Sequence, residues 1–229
     1  MEIHAFDPSA EAEDGGLSRL SEQKRRQIVQ AAGKLFVTQG FETTTMDAIA
    51  REAGVSKATV YAHAKNKQEL FAACVRGVAT QVYQSVDAEQ GDRDGGEAGG
   101  AEDMLRRFAL RFLEVIMSPP AQGVYRMVVA EAPRNPELGR IFFEQGPAVV
   151  QSRLIAILEA LRDAGALDID DPLIASQEFL GLMQGRFHLP CVLGTLGELT
   201  AQDRAEAAER TARTFMRAYA WRRTQGSTP

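Results

Sequence analysis

Ten basic side chains fall between Arg19 and Arg76 (Arg19, Lys24, Arg25, Arg26, Lys34, Arg51, Lys57, Lys65, Lys67 and Arg76), against five acidic ones (Glu22, Glu42, Asp47, Glu52 and Glu69). The segment carries +5 in a chain whose net charge is -5, which leaves -10 for the rest. Cations gathered in one short stretch and interleaved with Thr44, Thr45, Ser56, Thr59 and Tyr61 suit hydrogen bonds and ion pairs to phosphates and base edges. The acidic whole-chain average argues against a nucleic-acid partner. The asymmetry between the two parts argues that one end meets DNA and the other is a solvated body.

Metal, nucleophilic and redox chemistry have little to work with. His4, His63 and His188 are the only histidines, and Cys74 and Cys191 the only cysteines. No zinc-ligand spacing, catalytic triad or disulfide framework is legible. His188 and Cys191 are the one suggestive pair, and with Pro190 between them they read more simply as the packed end of a helix than as a thiolate site. The glycine run from Gly91 to Gly100 follows no strand and lacks the Gly-Lys-Ser/Thr ending of a phosphate loop. The expectation is a protein that is not an enzyme and uses no metal and no cofactor.

Helices must position the basic residues. Ile28, Ala31, Ala32, Leu35 and Phe36 at helical spacing predict a first helix over 18–39, stopped at Gly40. Thr44 with Asp47 has capping-box spacing for a short helix through Ile49, Ala50 and Ala53. Gly54 ends it, and Ser56 can cap a second short helix from Lys57 to about Ala62. Two short helices joined by a tight glycine turn are the pattern of a helix-turn-helix. A longer helix follows from Asn66 through Leu70, Phe71, Cys74, Val78 and Val82. GDRDGGEAGG from Gly91 to Gly100 predicts a flexible connector. Further helices are predicted near 101–117, 121–132, 136–165, 172–189 and 200–223, with a kink or break near Gly146 because of Pro147. No strand-like alternation occurs, so the expected fold class is all-α.

The 229 residues can bury one sizeable core or a small module joined to a larger one. The boundaries expected are a disordered tail at 1–17, a helix-turn-helix domain at 18–76, a helical regulatory and dimerisation domain at 77–223 and a second tail at 224–229. No apolar run approaches the roughly 18 residues that span a membrane, and the first residues lack the pattern of a signal peptide. With only two cysteines, a cytoplasmic location and no membrane partner are expected.

The stretch GFETTTMDAIAREAGVSKATVYAHAKNKQELF resembles the DNA-binding domain of the TetR family. Gly40, Phe41, Thr44, Thr45, Ile49, Ala50, Ala53, Gly54, Val55, Ser56, Thr59, Tyr61, His63, Lys67 and Leu70 fall in register. Ala64 departs from it, standing where many members carry Phe, which implies looser packing behind the recognition helix. The resemblance implies that Lys57, Ala58 and Thr59 face the major groove, Lys57 toward guanine and Ala58 or the Thr59 methyl toward thymine. It places Tyr61, His63 and Lys67 at phosphates, and Thr44 and Thr45 at the DNA-facing start of the first short helix, with Arg25 and Arg26 as lesser phosphate contacts.

The stretches VVAEAPRNPELGRIFFEQGP and DDPLIASQEFLGLMQG are similar to the regulatory domain of AcrR-like and AefR-like repressors, a subgroup often tied to efflux or stress control. That resemblance implies a TetR-like fold of about nine helices, with a ligand cavity and a dimer interface built by the last two long helices. Met117 and Phe142 belong to an aromatic and methionine cluster from which Phe108, Phe112, Tyr125, Met127, Phe143, Phe179, Met183 and Phe187 are expected to line the pocket. Gln145, Gln184, Arg186 and His188 are possible polar anchors. Ala201, Ala205, Ala208, Ala212, Phe215 and Tyr219 form a stripe on the last helix. With Phe179, Leu182 and Met183 this stripe is expected to form a two-fold seam that sets two recognition helices about 34 Å apart.

The reading is a homodimeric transcriptional regulator, a repressor released from double-stranded operator DNA by a small apolar or aromatic inducer. A ligand-independent regulator or an activator is the alternative within DNA binding; a helical adaptor or bundle enzyme is the alternative outside it.

Overall fold

The computed structural model describes residues 8–91, 100–197 and 199–220, with side chains described for 21–82 and from 100 onward within those ranges. Among these residues there are eleven helices, no named strand, and one isolated bridge between Leu167 and Ala220. The chain divides into two compact units, Met1–Cys74 and Val75–Pro229. No helix among the described residues is long and apolar enough to cross a membrane.

The first unit holds α1 (Pro8–Gln39), α2 (Met46–Ala53), α3 (Lys57–His63) and the start of α4 (Lys67–Gly91). Its core is an aromatic trio: Phe36, Phe41 and Phe71 have ring centres 5.2, 5.9 and 5.7 Å apart, in tilted and edge-on pairings. Ile28, Leu35, Ile49, Val60 and Leu70 close around it. α1 begins earlier than periodicity predicts, so residues 8–17 are helical where composition suggested a tail. Composition decides whether a segment can bury surface, whereas an existing helix adds turns at one hydrogen bond per residue. Residues 1–7 of that tail, including His4, lie outside the described residues, as do 92–99 of the glycine-rich connector and the 224–229 tail.

The second unit holds the remainder of α4 with α5 (Ala101–Ile116), α6 (Pro119–Glu131), α7 (Pro136–Gln145), α8 (Pro147–Asp163), α9 (Pro172–Gln184), α10 (His188–Val192) and α11 (Ala201–Tyr219). α11 packs along α5, and α9 packs against both α8 and α11. Leu105, Phe108, Leu113, Leu154, Leu158, Phe179 and Phe215 are wholly buried here. Each such side chain contributes roughly 1.5–3 kcal/mol of burial.

Proline explains much of this segmentation. α6, α7, α8 and α9 all open with proline in the first turn, where its fixed φ fits and its missing N–H costs nothing. The predicted 136–165 helix is two helices, because Pro147 opens α8 and Gly146 separates it from α7. The predicted 172–189 helix also ends early. Continuing it through Pro190 would set the ring against the preceding turn, so the chain turns after Gln184 and restarts as α10 with Pro190 in its first turn. These two breaks raise the count above the nine helices expected. α11 ends at Tyr219, where Asp168 N–H donates to the Tyr219 carbonyl at 2.7 Å; residues 221–223 of its predicted extent are outside the described residues.

Candidate nucleic-acid interface and an apolar cavity

The helix-turn-helix is locked locally. Thr45 caps α2 by accepting from the Ala48 N–H at 3.1 Å, and Ser56 caps α3 by accepting from the Thr59 N–H at 3.1 Å. Between them Gly54 takes φ 66°, which only glycine adopts without penalty. The Val55 N–H then returns to the Ala50 carbonyl at 3.0 Å, closing the turn. Val60 is the buried anchor of α3, which leaves its other faces outward.

The residues expected to meet DNA divide by environment. Lys57, Ala58 and Tyr61 are exposed on α3, Thr59 and His63 are half-buried, and Thr45 is exposed at its cap. Lys57 Nζ lies 2.7 Å from Asp47 of α2. Hydrogen bonding to Asp47 and its charge push the Lys57 ammonium further up, so it stays protonated. Thr44 is a correction: it is 1% exposed and its hydroxyl donates to the Gly40 carbonyl at 2.7 Å, so it secures the turn and has no surface to offer a phosphate. Lys67 is half-buried and donates to the Phe41 and Glu42 carbonyls at 2.8 and 3.0 Å. Ala64 is buried at 5% exposure, a methyl where the family resemblance predicts a ring.

Charge pairing rearranges the basic inventory. Lys34 bridges to Glu52 at 2.5 Å, and Arg25 and Arg26 approach Glu22. Among the described residues of this unit, Lys24, Arg51 and Lys65 make no ion pair. Arg51 and Lys65 were not singled out from sequence, because a run of charges does not show which members the fold neutralises.

The second unit encloses a cavity of about 350 Å³ bounded by α4 to α10. Of the eight expected lining residues, Phe112, Tyr125 and Phe143 are on its wall. Phe108, Phe179, Met183 and Phe187 are core residues away from it, and Met127 is half-buried and also off the wall. The wall adds Ile116, Leu180, Gln122 and Cys191, whose inward direction depends on helix rotation. Gln184 and His188, two of the four possible anchors, line it; Gln145 and Arg186 do not. The Tyr125 ring meets His188 edge-on at 5.7 Å and Phe142 at 5.9 Å. Burial pushes both the Tyr125 phenol and the Cys191 thiol up, so both are neutral donors at pH 7. Among the described residues, no lysine, arginine, aspartate or glutamate is on this wall.

The expected dimer seam needs a second correction. Phe179, Ala208, Ala212 and Phe215 are buried within one chain, Ala208 and Ala212 at 0% exposure, so they cannot face a partner. The stripe packs inward because α11 lies on α5. Tyr219 stacks on Phe215 at 4.5 Å and donates to Glu178, while Leu182 and Ala205 remain exposed. Burial is a sum over both neighbours of a helix, and spacing alone cannot say which neighbour is in the same chain.

Two family models match the chain. Residues 28–74 match the bacterial regulatory proteins of the tetR family, and residues 103–221 match the C-terminal domain of AefR-like transcriptional repressors. The chain is 35% identical to a solved flavonoid-responsive regulator, FrrA, over 88% of its own length and 99% of that chain, with a TM-score of 0.65. A TetR-family regulator from Mesorhizobium loti is 26% identical over 87% and 98% of the two chains, with a TM-score of 0.73. The HTH-type regulator YhgD of Bacillus subtilis is 37% identical over 68 residues, 30% of this chain and 36% of that protein. The chain thus spans about a third of the length of the first curated relatives it matches. With a family model covering more than half of its length and a helix-turn-helix at its head, the chain belongs to the TetR family of DNA-binding transcriptional regulators.

Proposed function

We propose that this DNA-binding regulator is a homodimeric repressor released from its operator by an uncharged, apolar, aromatic ligand, and that it controls efflux or stress genes. The observation that carries the ligand class is the wall of the 350 Å³ cavity: aromatic and aliphatic side chains, with Tyr125, Gln122, Gln184 and His188 as its hydrogen-bonding groups and no fixed charge. An anionic ligand would meet no lysine or arginine among the described residues of the wall, only the Arg126 guanidinium that acts on Cys191 from outside it, and would lose its hydration, whereas a neutral ring system with one or two hydroxyls matches both the surface and the donors. The similarity to a regulator described as flavonoid-responsive supports this class.

α4 supports the coupling. It contributes Leu70 and Phe71 to the core of the reading unit, and Val78 and Ala79 to the cavity wall. An inducer that favours the DNA-free form by about 1–3 kcal/mol releases the operator about 5- to 150-fold. Exposed Ile174 and Leu182, eight positions apart on one side of α9, support a second copy as the occupant of that side.

The test uses operator DNA selected from a random duplex library, with anisotropy titrations in the presence of paired neutral and carboxylated phenolic ligands. Release by the neutral member alone, weakened about tenfold in Tyr125→Phe, supports the reading. Release by the carboxylated member equally well, or tighter DNA binding with the neutral one, overturns it.

A further inference from the structure

The cation in the first turn of α3 is already occupied. Lys57 Nζ stands 2.7 Å from Asp47 Oδ1 and 6.0 Å from the centre of the Tyr61 ring. Both side chains of the ion pair are 59% exposed, so the pair, one member on α2 and one on α3, lies at the surface and is not sealed in the core. Asp47 stands in the first turn of α2, directly after the Thr45 cap and Met46. Free amides at that helix end favour its carboxylate there irrespective of Lys57. Arg51 and Lys65, by contrast, make no ion pair among the described residues.

A lysine paired in this way brings no net charge to a phosphate. It releases no counterion from the duplex, and the adjoining carboxylate is repelled by the backbone. A guanine edge is different. Its O6 and N7 are neutral acceptors at fixed positions, and an ammonium with one N–H on Asp47 has two left to offer them.

We propose that Asp47 is a specificity-determining residue of this regulator: it holds Lys57 for base edges in the operator and withholds it from the phosphates of unrelated DNA. Discrimination of this kind comes from weakening the wrong complex more than from strengthening the right one. The proposal rests on α3 being the element that reads DNA.

The test is anisotropy over a range of salt with the full chain, on operator duplex selected from a random library and on a scrambled duplex of the same composition. The proteins are wild type, Asp47→Asn, Lys57→Ala and the double variant. Asp47→Asn is expected to tighten the scrambled duplex about fivefold and steepen its salt dependence by about one phosphate contact, which lowers the operator preference. In the Lys57→Ala background the same change should leave the salt slope where it was. An equal effect of Asp47→Asn with and without Lys57 overturns the proposal, because Asp47 then acts as a bare charge; so does no effect in either. Wild-type protein that binds both duplexes alike and without salt dependence overturns the DNA reading of α3 itself, an outcome distinct from the other two.

Discussion

Lys67 Nζ lies 4.7 Å from the centre of the Phe41 ring and donates to the carbonyl of that same residue at 2.8 Å. One ammonium thereby binds the turn that follows α1 to the first residue of α4, using a ring face and two carbonyls, that of Glu42 being the second at 3.0 Å. The family resemblance assigns this lysine to a phosphate. In the folded unit it is first a tie between two elements, with one N–H left over.

Lys67→Ala is therefore expected to destabilise the protein by about 1–2 kcal/mol, discounted for partial exposure, and also to weaken all DNA sequences uniformly. Urea unfolding checks the first part. An unmoved midpoint with weakened DNA binding would mean that the lysine serves the phosphate alone.

Thr44→Val keeps the shape but strips the hydroxyl from the Gly40 carbonyl, and the cost is about 1–2 kcal/mol. Thr44→Ser should recover most of it. At temperatures where all three proteins are folded, operator affinity should be equal, since Thr44 has almost no exposed surface.

Two glycines should fail for different reasons. A methyl group on Gly146 would sit 2.9 Å from Val75 Cγ1 and 3.1 Å from the Phe142 carbonyl oxygen, so Gly146→Ala overpacks the cavity wall at about 1–3 kcal/mol and reduces ligand affinity with it. Gly54→Ala meets no atom but is left in the left-handed region at φ 66°, at roughly 1–2 kcal/mol. Thermal melts in the presence and absence of ligand separate them: only the Gly146 variant should lose ligand-induced stabilisation.

The Asp203 carboxylate is held below the usual range by hydrogen bonds from the Thr200 hydroxyl and from the Thr200 backbone N–H, the second of which, with the Asp203 N–H donating to the Thr200 hydroxyl oxygen, makes the capping box of α11. A depressed folded-state pKa contributes stability that is full above the unfolded value of about 3.9 and is lost as pH falls through the folded one. The unfolding midpoint should therefore drop more steeply below about pH 4 in wild type than in Asp203→Asn. Parallel curves for the two proteins would remove Asp203 from the account.

Cys74 donates to the Val29 carbonyl at 3.2 Å, and burial pushes its thiol up to about 12. At pH 8 it carries almost no thiolate, so its labelling by an aromatic disulfide should follow unfolding and quicken in urea. Fast labelling of native Cys191→Ser protein would contradict the burial of Cys74.

The local rules that sequence alone could apply are visible in the reader. Gly54 and Ser56 set the turn and α3 as their spacing predicts, because caps and left-handed turns are decided within a few residues, by hydrogen bonds that the chain makes with itself; the cap of α2 is Thr45 and not Thr44 as the spacing to Asp47 suggested, because the Thr44 hydroxyl turns back to the Gly40 carbonyl. The break at Pro147 is of the same kind, since a ring without an N–H interrupts any helix that would pass through it. The early stop of α9 had its local cause in Pro190, but the position of the stop depended on where the preceding turn could close, at Gln184.

What only the tertiary structure decided is which helix faces which. Spacing marked Ala208, Ala212 and Phe215 as one apolar stripe, and α5 of the same chain, through packing remote in sequence, took that stripe into its own core. Spacing likewise listed Phe108 and Phe112 as equals, and a rotation of α5 relative to its neighbours left the second on the cavity wall and the first behind it. The pairing of Lys57 with Asp47 is the same lesson for charge. Their separation along the chain carries no helical period, and only the angle of the turn at Gly54 brings the two side chains within 2.7 Å. Patterns along one helix are set by its own periodicity; the partner of each face is set by packing against elements far away in the chain.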